Sequence, residues 1–214
     1  MPSSGMRTKA ININNVIHRT MLDVAAILMA SGFSKRFGEE NKLLHPFGGK
    51  ALARYTLELA AGLDFPGGIF FVTSSDDVAA LASDLSAVRV VRNAAPEKGR
   101  RESVRLGLEA ADAAYYLFFT CDQPFLDVLT VQLILDARKQ SRIVEPRYQG
   151  RPGNPCLFSA VFREELLSLE EGETPRLIKT RHPGAVIGVE VSSSLVLQDI
   201  DDEYTLKRLL SADK

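Results

Sequence analysis

The stretch Ala114–Thr120 (AYYLFFT) is apolar or aromatic at nearly every position. Other runs rich in apolar residues stand at Val24–Ala30 (VAAILMA), Gly68–Thr73 (GIFFVT) and Val88–Arg92 (VRVVR). Ala114–Thr120 reads as a central strand covered on both faces and Val24–Ala30 as a buried strand feeding a loop, and the other two runs read as strands. Between them the spacing turns helical. Leu52–Leu63 sets Leu52, Tyr55, Leu59 and Leu63 along one side, Asp76–Leu85 follows, and Glu102–Ala111 aligns Val104, Leu108 and Ala111. Beyond Thr120 the same reading predicts a helix over Asp127–Lys139 and strands over Ile143–Tyr148 and Cys156–Ser159. Helices are then expected over Ala160–Leu169 and Pro175–Arg181, a strand over Ala185–Val191 and a closing helix over Asp202–Ser211. Strand–helix alternation confines the chain to the α/β class: a single three-layer α/β/α domain around a mostly parallel central sheet. In such sheets ligands sit outside the carboxyl ends of the strands, so the residues after Ala30, Thr73 and Thr120 are the ones to inspect.

Charge narrows the partners. The chain has 214 residues, 26 Lys plus Arg and 27 Asp plus Glu, a formal net charge of −1. Three of those cations (Arg7, Lys9, Arg19) and no acid lie in residues 1–22, so the rest of the chain carries −4. A nucleic-acid surface needs an excess of cations, so nucleic acid is not an expected partner. No apolar run approaches the ~18 residues of a membrane span, so no membrane association is expected either. Residues 1–21 lack both a helical stripe and the apolar core of a secretory signal, and are expected to be a disordered extension before a domain over 22–214. Cys121 and Cys156 are far apart and form no CxxC pair, which suits free thiols in a reducing cytoplasm. His18, His45 and His182 show no metal-ligand spacing.

Four segments carry candidate chemistry. After the first strand come Ala30-Ser31-Gly32, then Arg36-Phe37-Gly38 and Lys42. This is neither a Walker A loop nor GxGxxG. Its small residues nevertheless let backbone N–H groups approach an anion, with Arg36 as a forked donor and Lys42 as a point charge. A solvated surface loop is the alternative. Asp122, in Thr120-Cys121-Asp122-Gln123-Pro124, follows the most buried strand, where an unpaired carboxylate is costly. It offers a hard oxygen for Mg²⁺, or else caps a helix near residues 124–126. Gly99-Arg100-Arg101-Glu102-Ser103 opens a helix whose N-terminus favours anions, although Arg100, Arg101 and Arg105 also suit a solvated face. Gln149–Pro155 reads as a tight turn.

The first of these segments resembles the signature of the nucleotidyltransferase superfamily, L-x-A-G-x-x-x-R-[M/F]-G-x-x-K. Lys42-Leu43-Leu44-His45-Pro46-Phe47-Gly48-Gly49-Lys50 is similar to its continuation, K-L-L-x-P-x-G-G-K-P-L, with Ala51 where the family has Pro. The branch it looks most like is the molybdenum-cofactor cytidylyltransferase-like group. Asp122-Gln123-Pro124 matches the family's G-D-Q-P, with Cys121 in place of Gly. Gly99 to Leu108 is similar to G-x-x-x-S-[V/L]-x-x-G-L, Gly150 to Phe158 resembles the acceptor-side G-x-x-G-[H/N]-P-x-L-F, and Asp199-Ile200-Asp201 resembles D-I-D. Of the family's G-D-x-G-A-R this chain keeps only Arg176.

The resemblance implies a Rossmann-like nucleotidyltransferase fold that moves CMP from CTP to a phosphorylated acceptor, Mo-molybdopterin, releasing pyrophosphate. It implies Arg36, Lys42 and Asp122 in catalysis, and Ala30, Ser31, Gly32, Gly99 and Ser103 on the nucleotide. Asn154 and Arg176 fall on the acceptor, and Mg²⁺ on Asp122 and Asp201, with Asp199 the lesser candidate. A recipient molybdoenzyme or its chaperone is the implied protein partner. GTP or another acceptor, and a non-catalytic nucleotide- or cofactor-binding chaperone, stand as alternatives.

Overall fold

The computed structural model describes residues 24–32, 41–202 and 204–205. Arg36 and Lys35, the residues 1–21 expected to form an extension, and most of the closing helix expected over Asp202–Ser211 lie outside the described residues.

The sheet is built from β1 (Val24–Met29), β4 (Ile69–Thr73), β5 (Val88–Arg92), β6 (Tyr115–Thr120), β7 (Ile143–Tyr148), β9 (Cys156–Ser159) and β10 (Val186–Glu190). Their spatial order is β10-β7-β9-β6-β1-β4-β5, with the two-residue β8 (Arg151–Pro152) paired to β7. β1 runs parallel to β4 and β6, β4 parallel to β5, and β7 parallel to β10. Only β9 and β8 run against their neighbours. A parallel return needs a crossover of a dozen or more residues. The connection over residues 149–155 is too short for one, so the chain turns back and β9 fits between β7 and β6 in the opposite sense.

Alternate side chains of each strand point to opposite faces. Ala26, Leu28, Phe71, Leu117 and Phe119 join one cluster with Ala53, Leu57 and Ala60 of α1 (Leu52–Ala61), Val78 of α2 (Asp76–Ala80) and Val131 and Ile134 of α4 (Val128–Asp136). Ala25, Ile27, Phe70, Val72, Tyr116 and Phe118 join a second with Val104 and Leu108 of α3 (Arg100–Ala110), Leu166 of α5 (Arg163–Leu167) and Ile178 of α6 (Arg176–Arg181). The expected three layers are therefore present. The buried stripe of α1 is Leu52, Ala53, Thr56, Leu57 and Ala60 rather than Leu52, Tyr55, Leu59 and Leu63. Small Ala53 and Ala60 face the sheet, while Tyr55 swings aside to donate its hydroxyl to Phe47 O at 2.8 Å. Helix α3 lies close on β1, because a Cβ at Gly107 would overlap Ile27. A glycine inside a helix costs roughly 1 kcal/mol against Ala, and here it permits that close packing.

Two expected helices are shorter. Asp76–Leu85 keeps helix only over Asp76–Ala80 and continues as turns, and Ala160–Leu169 divides into a 3₁₀ turn (Ala160–Phe162) and α5. A small hairpin, β2 (Pro46–Phe47) and β3 (Lys50–Ala51), precedes α1; its turn residues Gly48 and Gly49 both have positive φ, 52° and 93°, which explains the paired glycines. No helix among the described residues is long and apolar enough to cross a membrane.

Candidate active site

β1 is flanked by β4 on one side and β6 on the other, so the order of connection reverses there, and the carboxyl ends of β1 and β6 open a crevice. It is a cleft of about 520 Å³ whose walls include Ser31, Gly32, Lys42, Asp122, Gly99, Ser103 and Asp201. Residues from four separate expected motifs therefore meet in one place.

Lys42 is carried by a 3₁₀ turn (Lys42–Leu44) capped by the Asn41 side chain, which accepts from Leu43 N at 3.1 Å. Its Nζ donates to Asp122 Oδ2 at 2.6 Å, to Asp201 Oδ1 at 3.1 Å and to Ile200 O at 3.1 Å. Burial works against its charge, but Asp122 and Asp201 outweigh that, and the Lys42 pKa is raised. Asp122 is not the helix cap that the alternative reading allowed. Asp127 caps α4, accepting from Thr130 N at 2.7 Å, while Asp122 Oδ1 is buried with no hydrogen-bond partner.

Asp199 and Asp201 arrive from the far end of the chain. Ile200 N donates to Asp122 O at 2.9 Å, and Gln123 Nε2 donates to Leu197 O at 3.2 Å, so the Gln123 side chain straps this tail across the cleft. Asp201 is 57% exposed, whereas Asp199 carries a second buried orphan oxygen, Oδ1. Burial, then the Asp122 and Asp201 charges, push the Asp199 carboxyl up to about 7 against the pull of Lys42 and Arg100.

On the nucleotide side one expectation needs correcting. Ala30 does not line the cleft: it is buried and its N–H is committed to Val72 O at 2.8 Å, continuing the sheet. Ser31 and Gly32 do line it, although the Ser31 hydroxyl donates to Val72 O at 3.2 Å. Gly99 and Ser103 face them from the start of α3. Buried Asn93, which lies outside every expected motif, donates from Nδ2 to Ser103 Oγ at 3.5 Å. With its oxygen accepting, the Ser103 hydroxyl keeps its proton for a ligand. Arg105 belongs to the solvated face, as it pairs with Glu102 and Glu109 at 2.6 and 2.5 Å, but Arg100 turns into the cleft.

A second cavity of about 710 Å³ shares Met29 and Arg100 with the first and contains both expected acceptor residues, Asn154 and Arg176. It also holds a group absent from the motif reading. Glu145 Oε1 accepts from Arg147 Nε at 3.0 Å, and Glu145 Oε2 accepts from Lys179 Nζ at 2.6 Å. Cys156 lies on this wall and Cys121 on the first, both buried free thiols whose pKa burial raises.

Among the described residues no three His, Cys, Asp or Glu side chains are grouped to enclose a metal. The donor set instead fits a hard cation that takes one or two carboxylates and completes its shell with substrate phosphates and water. The orphaned Asp122 Oδ1 and Asp199 Oδ1 are oxygens of the kind such an ion would take up.

Residues 26–185 match the MobA-like NTP transferase domain family. Similar proteins include the nicotine blue oxidoreductase of Paenarthrobacter nicotinovorans, 28% identical over 200 residues that span 87% of this chain and 96% of that protein. The molybdenum cofactor guanylyltransferase of Ralstonia pickettii (strain 12J) is 26% identical, with the same 87% and 96% coverage. A solved nucleotidyl transferase from Methanothermobacter thermautotroptrophicus superposes with a TM-score of 0.76 at 23% identity, covering 89% of this chain and 97% of that one, a likeness of fold. The family match spans most of the chain and includes most of β1, Lys42, Asp122 and Ser103; the chain thus belongs to the MobA-like NTP transferase domain family, and its enzyme class is nucleotidyltransferase.

Proposed function

We propose that the chain transfers a cytidylyl group from CTP to a phosphorylated acceptor, Mo-molybdopterin, with release of pyrophosphate. One observation carries this reading: a cleft with small-residue walls, Lys42 and Asp122 shares its Met29 and Arg100 wall with a second cavity lined by Asn154, Arg176 and Lys179. Two phosphorylated substrates would meet at that shared wall. An acceptor phosphate oxygen attacks the α-phosphorus, a new P–O bond forms, the bond to the bridging oxygen of the β-phosphate breaks, and pyrophosphate leaves with the electron pair. A phosphate nucleophile is already ionised at neutral pH, so no general base is needed.

The chain's work is positioning and charge. Backbone at Ser31 and Gly32 receives the triphosphate, Lys42 neutralises charge on the departing pyrophosphate, and Arg36 is proposed to join it. Ser103, its oxygen engaged by Asn93, donates to an acceptor atom of the base, and Gly99 leaves room beside it. Asn154 and Arg176 hold the acceptor. Asp122 and Asp201, with Asp199 beside them, would hold Mg²⁺, which when bound supplies positive charge to the phosphates.

The test is pyrophosphate release with each of the four NTPs, Mg²⁺ and Mo-molybdopterin, with the product identified by mass. A cytosine dinucleotide supports the reading. Turnover with GTP alone favours the guanylyl chemistry for which the Ralstonia relative is named. Tight NTP binding without turnover favours a binding chaperone. A chain that oxidises or reduces a dye, as the name of the Paenarthrobacter relative suggests for that protein, overturns the reading.

A further inference from the structure

The ion cluster of the second cavity has no part in the transfer step described above. Glu145 is almost fully buried, its side chain 5% exposed, on the inner strand β7, while Lys179 comes from α6 and is 18% exposed. Both carboxylate oxygens are taken, Oε1 by the Nε and Nη2 of Arg147 at 3.0 and 2.9 Å and Oε2 by Lys179 Nζ at 2.6 Å. A buried ion pair is seldom worth more to stability than apolar residues of the same volume, so stability alone is a poor reason for this one. Gly188 of β10 stands beside Glu145 in the parallel register, and a Cβ there would lie 2.5 Å from Arg147 Cδ and 2.6 Å from its Nε. The bare glycine therefore lets the Arg147 side chain lie flat and present its fork to Glu145.

The cluster leaves donors over. Lys179 Nζ spends one N–H on Glu145 and one on Cys156 Sγ at 3.5 Å, and the Nη1 edge of Arg147 has no protein partner among the described residues. The cavity wall carries Arg100, Arg147, Arg176 and Lys179 against the single acid Glu145. Arg100 also lines the nucleotide cleft, where the attacking phosphate must lie, but Lys179 and Arg147 line only the second cavity.

We propose that Glu145 is a positioning residue that holds Lys179 and Arg147 as a two-pronged anion clamp, and that the acceptor carries a second anionic group besides the phosphate that attacks. The proposal rests on the second cavity receiving the acceptor. Glu145 touches no substrate; it orients the two cations that do. One phosphate satisfies Arg100 at the junction, and the second anion satisfies the clamp, so acceptors with one charged end bind more weakly.

The experiment fills the first cleft with a non-hydrolysable CTP analogue and Mg²⁺. It then measures the binding of fructose 6-phosphate and fructose 1,6-bisphosphate by calorimetry, as probes with one and two anionic ends. The bisphosphate is expected to bind at least about tenfold more tightly. In Lys179→Met that preference falls to within about twofold. In Gly188→Ala, which shifts Arg147 without touching ligand, it falls by about threefold. In Glu145→Gln it also falls, although the cavity gains a positive charge; a merely structural role would weaken both probes alike. Equal affinities in the unaltered protein, an unchanged preference in Lys179→Met, or a preference raised by Glu145→Gln would each overturn the proposal. Should Glu145→Gln unfold, the other two variants decide. A preference that holds while no NTP yields pyrophosphate keeps this clamp and sinks nucleotidyl transfer; pyrophosphate release without the preference does the reverse.

Discussion

Two lysine–carboxylate pairs stand in adjoining cavities, and they are built differently. Lys42–Asp122 and Lys179–Glu145 have the same 2.6 Å separation and similar lysine exposure, 16% and 18%. Around Asp122 the shell is incomplete: Oδ1 is buried and bare, and Asp199 beside it has another orphaned oxygen. Around Glu145 the shell is closed, every carboxylate oxygen being used by Lys179 or Arg147. An open shell of acid oxygens has affinity left for a cation; a closed one has spent it on its own lysine and arginine and turns those cations toward an anion. The same chemical pair thus marks opposite ligand charges, and the unspent donors and acceptors tell them apart.

The two shells should respond differently to mutation. The largest effect is expected for Asp122→Ala, which should cut pyrophosphate release by about 10³-fold while far-UV circular dichroism stays unchanged; full activity would remove Asp122 from the reaction. Stability should order the two sites the other way. Glu145→Ala strands Lys179 and Arg147 beside an emptied buried position and should cost about 3 kcal/mol in urea unfolding. Asp122→Ala also removes a bare buried oxygen and should cost less than half of that. If Asp122→Ala proves the more damaging, the open-versus-closed distinction is wrong.

A pH series refines the closed pair. Burial opposes charge on Lys179, and Cys156 and Glu145 outweigh it, so its pKa is raised above the ordinary 10.5. A lysine with a raised folded pKa contributes stability that is fully present below the unfolded value and disappears as pH rises through the folded one. The stability difference between the protein and Lys179→Met should therefore hold steady from neutrality upward and shrink only above pH 10.5, by urea midpoints at each pH. The smallest effect is expected for Asp201→Asn: that side chain is 57% exposed, and its pairing with Lys42 should be worth under ~0.5 kcal/mol. A larger loss would show that the Asp201 side chain, and not only Asp122 and Ile200 O, holds Lys42.

Much of the nucleotide cleft was legible because its parts are local. Lys42 follows a strand and a small-residue loop, Asp122 follows the most apolar run, and Ser103 lies one turn into a helix; the family resemblance, more than these neighbours, singled each of them out. Ala30 misled because smallness alone does not say whether an N–H is free, and this one continues the sheet to Val72. Asp199 was ranked below Asp201 because an acidic run carries no record of which side chain turns inward. Asn93, ten positions before Ser103, stands in no motif that would signal the bond it makes.

The chain's own apolar runs and helical spacing were enough to place most of the described strands and helices and the three layers, since hydrophobic spacing and turn chemistry act over a few residues. Strand order was not contained there. It rests on the short return after β7 reversing β9 and on β10 lying beside β7, and beyond the sheet the tail crosses over Asp122. Those placements bring Lys42 to Asp201 across 159 positions and Lys179 to Glu145 across 34. Pairing at such separations depends on which surfaces the sheet buries together, and only the tertiary structure could decide which carboxylate is left bare and which is closed.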